Sequence, residues 1–158
     1  MSVRIRLLRQ ADLPDVFAIE QNVFPDDSWT DAMFASELAQ RKTRHYIVAE
    51  EDGLIVGYGG LSVVGGHQGD VQTLAVRAER QGKGIGAALL AELIGVAQAR
   101  GCREVFLDVR ADNDRARSLY LRTGFTEIGV RRGYYQPSGA DAIVMCLPIG
   151  RFQGQAAP

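Results

Sequence analysis

The stretch RQGKGIGAALLAELI, Arg80 to Ile94, sets glycines at positions 82, 84 and 86 and then runs into an apolar helical pattern. Glycine inside a helix costs roughly 1 kcal/mol relative to alanine, so the bare backbone must serve something. A pyrophosphate resting on a helix N-terminus would need it, held by main-chain N–H groups and the positive end of the helix dipole. Gln81 and Lys83 can add polar and cationic contacts. Two other phosphate motifs fit less well. A P-loop requires Ser or Thr after its Gly-Lys, and here Gly84 follows Gly82-Lys83. The dinucleotide pattern is formally met by Gly82-x-Gly84-x-x-Ala87, but it stands in mid-chain without the repeated strand–helix–strand units that give it meaning. A turn without a ligand needs one glycine, seldom three.

The remaining reactive residue types offer less. Cys102 and Cys146 each sit in an apolar run, form no CxxC pair and have no histidine nearby in sequence. They read as small buried hydrophobes in a reducing cytosol, with a disulfide or a metal site as the alternative. His45 and His67 lack ligand spacing, so no metal is expected. No G-x-S-x-G occurs, and nothing suggests a covalent enzyme intermediate.

Such groups need a scaffold, and 158 residues suit one domain with a real core. With 18 Lys+Arg against 19 Asp+Glu, a net charge of -1 gives no reason to expect nucleic acid or a membrane surface. No apolar run approaches the ~20 residues of a membrane span. The start, MSVRIRLLRQAD, alternates apolar residues with arginines and is not read as a signal peptide. A cytoplasmic location is expected.

The pattern predicts a strand over 2–8 and a helix over 11–24, with Asp12 as N-cap and Pro14 in its first turn. Glu20 interrupts the apolar face of that helix, as a rim residue or as a group pointing into a site. A second helix is expected over 25–40. Strands over 44–50 and 54–64 flank the turn signal EDG, and a further strand covers 69–76. The helix over 84–100, striped by Leu89, Leu90, Leu93, Ile94 and Ala97, stops at Gly101. A strand over 102–109, a helix over 113–123 capped by Asn113 and ended by Gly124, and strands over 125–132 and 141–148 complete the domain, 1–148. The tail 149–158 has little to bury and is expected to be flexible. Three consecutive strands imply antiparallel pairing. The strand–helix–strand unit from Leu74 to Val109 implies one parallel pair with a right-handed crossover. The fold class is therefore a mixed α/β sheet with helices on both faces.

VRAERQGKGIGAALL resembles the Q/R-x-x-G-x-G/A signature of the GNAT N-acetyltransferases, here Gln81-Gly82-Lys83-Gly84-Ile85-Gly86. LDVRADNDRARSLYLRTGF, RRGYY and DAIVMCLP resemble the RimI-type N-terminal acetyltransferases, which acetylate the α-amino group of a ribosomal protein. The resemblance runs from ADLPDVFAIEQ to Leu147. It implies the acyl-CoA N-acyltransferase fold, acetyl-CoA as donor and a protein N-terminus as acceptor. It places Leu74, Ala75 and Val76 along the pantetheine, Gly82 to Ala87 around the pyrophosphate, and Asn113 against the pantetheine arm, a role compatible with capping.

An α-amine has a pKa near ~8, so it must lose a proton before it attacks a thioester. The departing thiolate gains from an acid, and the transient oxyanion from N–H donors such as those near Ala75 and Val76. By the resemblance Tyr120 takes the acid's place; its other reading is an aromatic in the core. Asp108 falls where the family has a glutamate as base. Here the motif reads LDVR, one methylene shorter, which favours a relay through water. Its other reading is an ion pair with Arg110 or a neighbouring cation. Tyr134 and Tyr135 match a loop beside the peptide entrance, or else cover the sheet edge. A lysine or small-amine acetyltransferase, a non-catalytic acetyl-CoA-binding module and a nucleotide-binding protein stand as alternatives to the N-terminal acetyltransferase.

Overall fold

The computed structural model describes residues 2–150. The elements are β1 (Val3–Leu7), α1 (Leu13–Val23), α2 (Asp31–Ala39), β2 (Arg44–Glu51), β3 (Leu54–Val64), β4 (Gln68–Val76), α3 (Ile85–Ala99), β5 (Glu104–Arg110), α4 (Asp114–Thr123), β6 (Thr126–Arg131) and β7 (Ala142–Pro148). The order is the expected one. One seven-stranded sheet runs β1-β2-β3-β4-β5-β7-β6, and all pairs are antiparallel except β4 with β5. Within the expected tail, Ile149 donates its N–H to the Arg103 carbonyl at 2.9 Å; residues 151–158 lie outside the described residues.

Local signals account for much of this. Asp52 and Gly53 both take positive φ, 53° and 80°, and join β2 to β3 by a two-residue loop. That is the turn whose twist suits a hairpin, and Asp-Gly is its preferred sequence. β3 is buried from Ile55 to Val63, as befits an interior strand of a sheet covered on both faces.

Two local expectations are corrected. Asp12 stands at the N-cap position of α1, but its side chain accepts no N–H of that helix and instead caps the 3-10 turn that precedes the helix. Its carboxylate accepts from the Arg6 guanidinium (2.8 and 3.0 Å) and the Arg9 N–H (2.7 Å), because a charged donor outcompetes the helix amides. The second helix starts only at Asp31, where Thr30 Oγ1 accepts the Met33 N–H at 3.2 Å. Residues 25–30 form a connecting segment instead.

Two clusters sandwich the sheet. One gathers α3 and α4 residues such as Leu89, Leu90, Leu93 and Tyr120 against Leu107, Val109 and Met145. The other packs Val16, Ile19 and Phe34 of α1 and α2 on Val48, Ile55, Tyr58 and Ala75. Leu93 has no exposed surface. Leu93→Ala is expected to cost about 2–5 kcal/mol, from lost burial plus the cavity left behind; chemical denaturation measures it as a lower midpoint with an unchanged slope.

Candidate active site

The site begins where the parallel pair fails. β4 pairs with β5 only from Gln68–Val71 to Glu104–Leu107. Beyond that point β4 stays with β3 while β5 stays with β7 as far as Arg110. The β3–β4 register shifts between Gly60, paired with Thr73, and Leu61, paired with Val71, which leaves Gln72 as an extra residue. Such a bulge bends its strand, and it lies where β4 turns away from β5.

The divergence opens one edge of β4. The Arg77 N–H donates to the Val56 carbonyl at 2.8 Å. Antiparallel alternation then turns the main chains of Ala75 and Thr73 toward β3 and those of Leu74 and Val76 toward the gap. The N–H of Val76, rather than that of Ala75, therefore faces the opening. The Val76 carbonyl is already taken by Gln81 Nε2 at 3.0 Å, which ties the glycine loop to the end of the strand.

A cleft of about 1030 Å³ occupies this gap. Leu74, Ala75, Val76, Gln81, Gly82, Gly84, Gly86, Ala87, Asp108, Asn113, Tyr120 and Tyr135 all line it. Lys83, Ile85 and Tyr134 do not: Lys83 is exposed, Ile85 is buried in the α3 core, and Tyr134 is 49% exposed. Tyr134 stacks edge-on against Tyr135 at 5.1 Å and lies beneath the Arg131 guanidinium at 5.7 Å.

The glycines divide into two kinds. Gly82 and Gly84 have φ of 79° and 84°, a region that charges other residues roughly 1–2 kcal/mol. Gly86 is helical, and a Cβ there would touch Leu119 Cδ2 at 3.4 Å, so it serves the approach of α3 to α4. Part of the glycine signal is thus conformational. What remains is the helix end. The first bond of α3 runs from Ala88 N–H to the Gly84 carbonyl, and no side chain caps the helix. The N–H groups of Ile85, Gly86 and Ala87 precede that bond and have no partner within the helix. By contrast, α2 and α4 are capped by Thr30 and Asn113. Asn113 spends only its oxygen on the cap, accepting the Ala116 N–H at 3.2 Å, so its amide N–H₂ can serve a ligand.

The candidate acid and base reach the gap from opposite faces of the sheet. Leu107 and Val109 face the α3 side, so strand alternation points Asp108 to the α1 side. There Asp108 Oδ1 accepts from Arg131 Nε at 3.1 Å. The neighbouring cation is thus Arg131, whereas Arg110 turns to Asp26, Asp27 and Asp112. Tyr120 comes from the α3 side. Its ring packs edge-on against Phe125 at 5.9 Å, and it is 6% exposed. Its hydroxyl makes no hydrogen bond among the described residues, and burial raises the phenol well above its ordinary pKa, which keeps it protonated. Core and site readings of Tyr120 thus coexist in one residue: the ring is packed and the residue lines the cleft.

Asp27, which the sequence did not single out, and Glu20, which it did, complete the α1 side. Asp27 accepts from Arg110 Nη1 (2.7 Å), Ser138 Oγ (2.9 Å) and the Ser138 N–H (3.2 Å), joining the α1–α2 segment to the loop between β6 and β7. Glu20, between its two sequence readings, is buried and lines the cleft. Burial also raises both cysteine thiols, which suits inert core residues. Among the described residues no group of three His, Cys, Asp or Glu side chains could hold a metal, and no helix is long and apolar enough to cross a membrane.

A mixed sheet that splays at its one parallel pair, with an uncapped glycine-led helix beside the gap, defines the acyl-CoA-dependent acetyltransferase class. The acetyltransferase (GNAT) family model matches residues 13–125, and the chain belongs to that family. It is 42% identical over 147 residues to the N-alpha-acetyltransferase RimI of Mycobacterium tuberculosis, covering 90% of each chain. It is 35% identical over 149 residues to the [ribosomal protein bS18]-alanine N-acetyltransferase of Escherichia coli K12, covering 92% of this chain and 97% of that one. The crystal structure of the ribosomal-protein-S18-alanine N-acetyltransferase from Escherichia coli superposes with a TM-score of 0.82 at 34% identity, over 94% of this chain and 95% of that one. Acetyltransferases of this family use acetyl-CoA.

Proposed function

We propose that the chain moves the acetyl group of acetyl-CoA to the N-terminal α-amine of a ribosomal protein, by direct attack within a ternary complex. The observation that carries this reading is the opened edge of β4, flanked by the uncapped start of α3 on one face and by Asp108 on the other. The edge offers strand-like hydrogen bonds to an amide-bearing arm such as pantetheine. The start of α3 offers N–H groups and a positive dipole end to a pyrophosphate. The name of the relative at 42% identity supports an α-amine as acceptor, and that of the relative at 35% identity supports an N-terminal alanine of a ribosomal protein.

Acetyl-CoA supplies a thioester whose carbonyl carbon an amine can attack. The residues of the chain do the rest. Gly82 to Ala87 hold the phosphates, Leu74 and Val76 align the arm, and the Asn113 amide donates to it. The Val76 N–H faces the carbonyl oxygen as it gains charge. Asp108 draws the proton from the acceptor amine through water, consistent with its short side chain, and Tyr120 returns a proton to the departing sulfur. Tyr135 borders the path of the acceptor peptide, with Tyr134 stacked behind it.

Gly84→Val tests the cradle. The variant is expected to weaken acetyl-CoA binding at least tenfold in calorimetry. Gly101→Val is the control, since Gly101 has the same φ of 84° and equally open surroundings but lies at the far end of α3. Equal affinity in both folded variants would remove the phosphate role from the loop. For the acceptor, release of coenzyme A is expected with a peptide copying the bS18 N-terminus. Release with lysine side chains alone would support the alternative of a lysine acetyltransferase.

A further inference from the structure

Among the described residues two carboxylates are buried outright, Asp12 and Glu20. They are treated differently. Asp12 faces the Arg6 guanidinium across a short ion pair. Glu20, 2% exposed, has no cation. Its Oε2 accepts the Trp29 N–H at 2.8 Å and its Oε1 accepts the Tyr58 hydroxyl. Both donors are neutral, and no arginine or lysine pairs with it among the described residues. Even Asp27, nearly enclosed a few residues along, holds Arg110.

Burying an anion without a cation is costly, and proteins seldom do it without use. Glu20 lines the cleft. Its partner Tyr58 stands opposite Ala75 in the β3–β4 register, on the α1 side of the sheet, which is also the side of Asp108. Two of the roughly four acceptor positions of a carboxylate are used. The rest carry no hydrogen bond among the described residues, at the wall of the cleft. On the reading of the site given above, we infer that Glu20 recognises the acceptor amine in its cationic form, supplying from the cleft wall the counter-charge that the protein itself withholds.

The chemistry fits the acceptor class. An α-amine with a pKa near ~8 arrives mostly as ammonium at neutral pH, a compact cation with three donors. The Tyr58 and Trp29 bonds fix the carboxylate, so no reorganisation is needed on arrival. Burial raises the pKa of Glu20, and an ammonium beside it would lower it again, so amine and carboxylate stabilise each other's charged forms. The acetylated product is a neutral amide and gains nothing from Glu20, which favours its release. Glu20 thus acts in binding and selection, while proton removal stays with Asp108.

The test compares two peptides of one sequence, one with a free N-terminus and one N-acetylated, bound in the presence of coenzyme A so that no transfer occurs. The wild-type protein is expected to hold the free amine at least tenfold more tightly. In Glu20→Gln that preference is expected to fall below threefold, with affinity for the acetylated peptide and for acetyl-CoA unchanged. Equal weakening of both peptides would show a merely structural role and overturn the inference, as would a preference that survives in the folded variant. Should Glu20→Gln fail to fold, Glu20→Met with Tyr58→Phe removes charge and hydroxyl together, and the same outcomes apply. If the acceptor proves to be a lysine or a small amine, the comparison is made between that amine and its acetylated product, so the inference stands or falls apart from the choice of acceptor.

Discussion

Tyr120→Phe is expected to lower kcat by ~10²-fold or more and to leave acetyl-CoA affinity nearly intact. This is the largest effect expected from the loss of one atom in the molecule. The ring carries the packing: it is buried, it sits edge-on to Phe125, and phenylalanine reproduces both features. The hydroxyl carries no hydrogen bond among the described residues, so its removal costs no internal bond, and thermal stability should hardly change. Activity is another matter if the hydroxyl protonates the departing thiolate. That interaction exists mainly in the transition state, so its loss appears in kcat and not in ground-state binding. Burial raises the phenol pKa, so the acid form persists through the neutral and mildly alkaline range, and wild-type activity should show no loss from tyrosine ionisation there. A phenylalanine variant with wild-type kcat would take Tyr120 out of the mechanism.

Asp108→Asn is expected to lower kcat/KM by ~10²-fold near neutral pH and by less as the pH rises past ~8, where the amine loses its proton unaided. The low end of the usual range for general-base effects is expected, because the aspartate side chain is short and acts through water. The substitution also removes the anionic partner of Arg131, while Oδ1 can still accept its N–H. That pair is partly exposed, with side-chain exposures of 55% for Arg131 and 26% for Asp108. Pairs of this kind contribute about 0–1 kcal/mol, too little to unfold the chain and too little to mimic a catalytic loss. A pH–rate profile of the variant separates the causes. A loss of equal size at every pH would point to impaired binding in place of a missing base.

Much of the fold was legible because its signals are local. Alternation marked the strands, Asp52-Gly53 marked the hairpin, and Gly101 and Gly124 marked helix ends. The parallel pair followed from the length of the crossover. What escaped reading depends on contacts between distant segments. The splay of β4 from β5 turns on the extra residue Gln72, which nothing in QGDVQTLAV announces. The latch of Asp27 onto Ser138 spans 111 residues and has no short-range trace. Asp12 is a nearer case: it holds the N-cap position of α1, but Arg6, six residues back on β1, takes the carboxylate. Three positions of the glycine signature also sorted differently in space. Ile85 belongs to the core, Lys83 stands outside the cleft, and Gln81 is engaged with Val76. A motif in sequence gives the path of the backbone, and side-chain direction follows only once helix and strand phases are set.

The most direct measurement of the central claim is mass spectrometry of the acceptor after incubation with the protein and acetyl-CoA. The substrate is a peptide that copies the N-terminus of ribosomal protein bS18 and also contains an internal lysine. Fragmentation locates the added acetyl group. A single acetyl group is expected on the α-nitrogen of the first residue, absent when Tyr120→Phe and Asp108→Asn are combined. An acetyl group on the lysine side chain with the N-terminus unmodified would contradict the central claim.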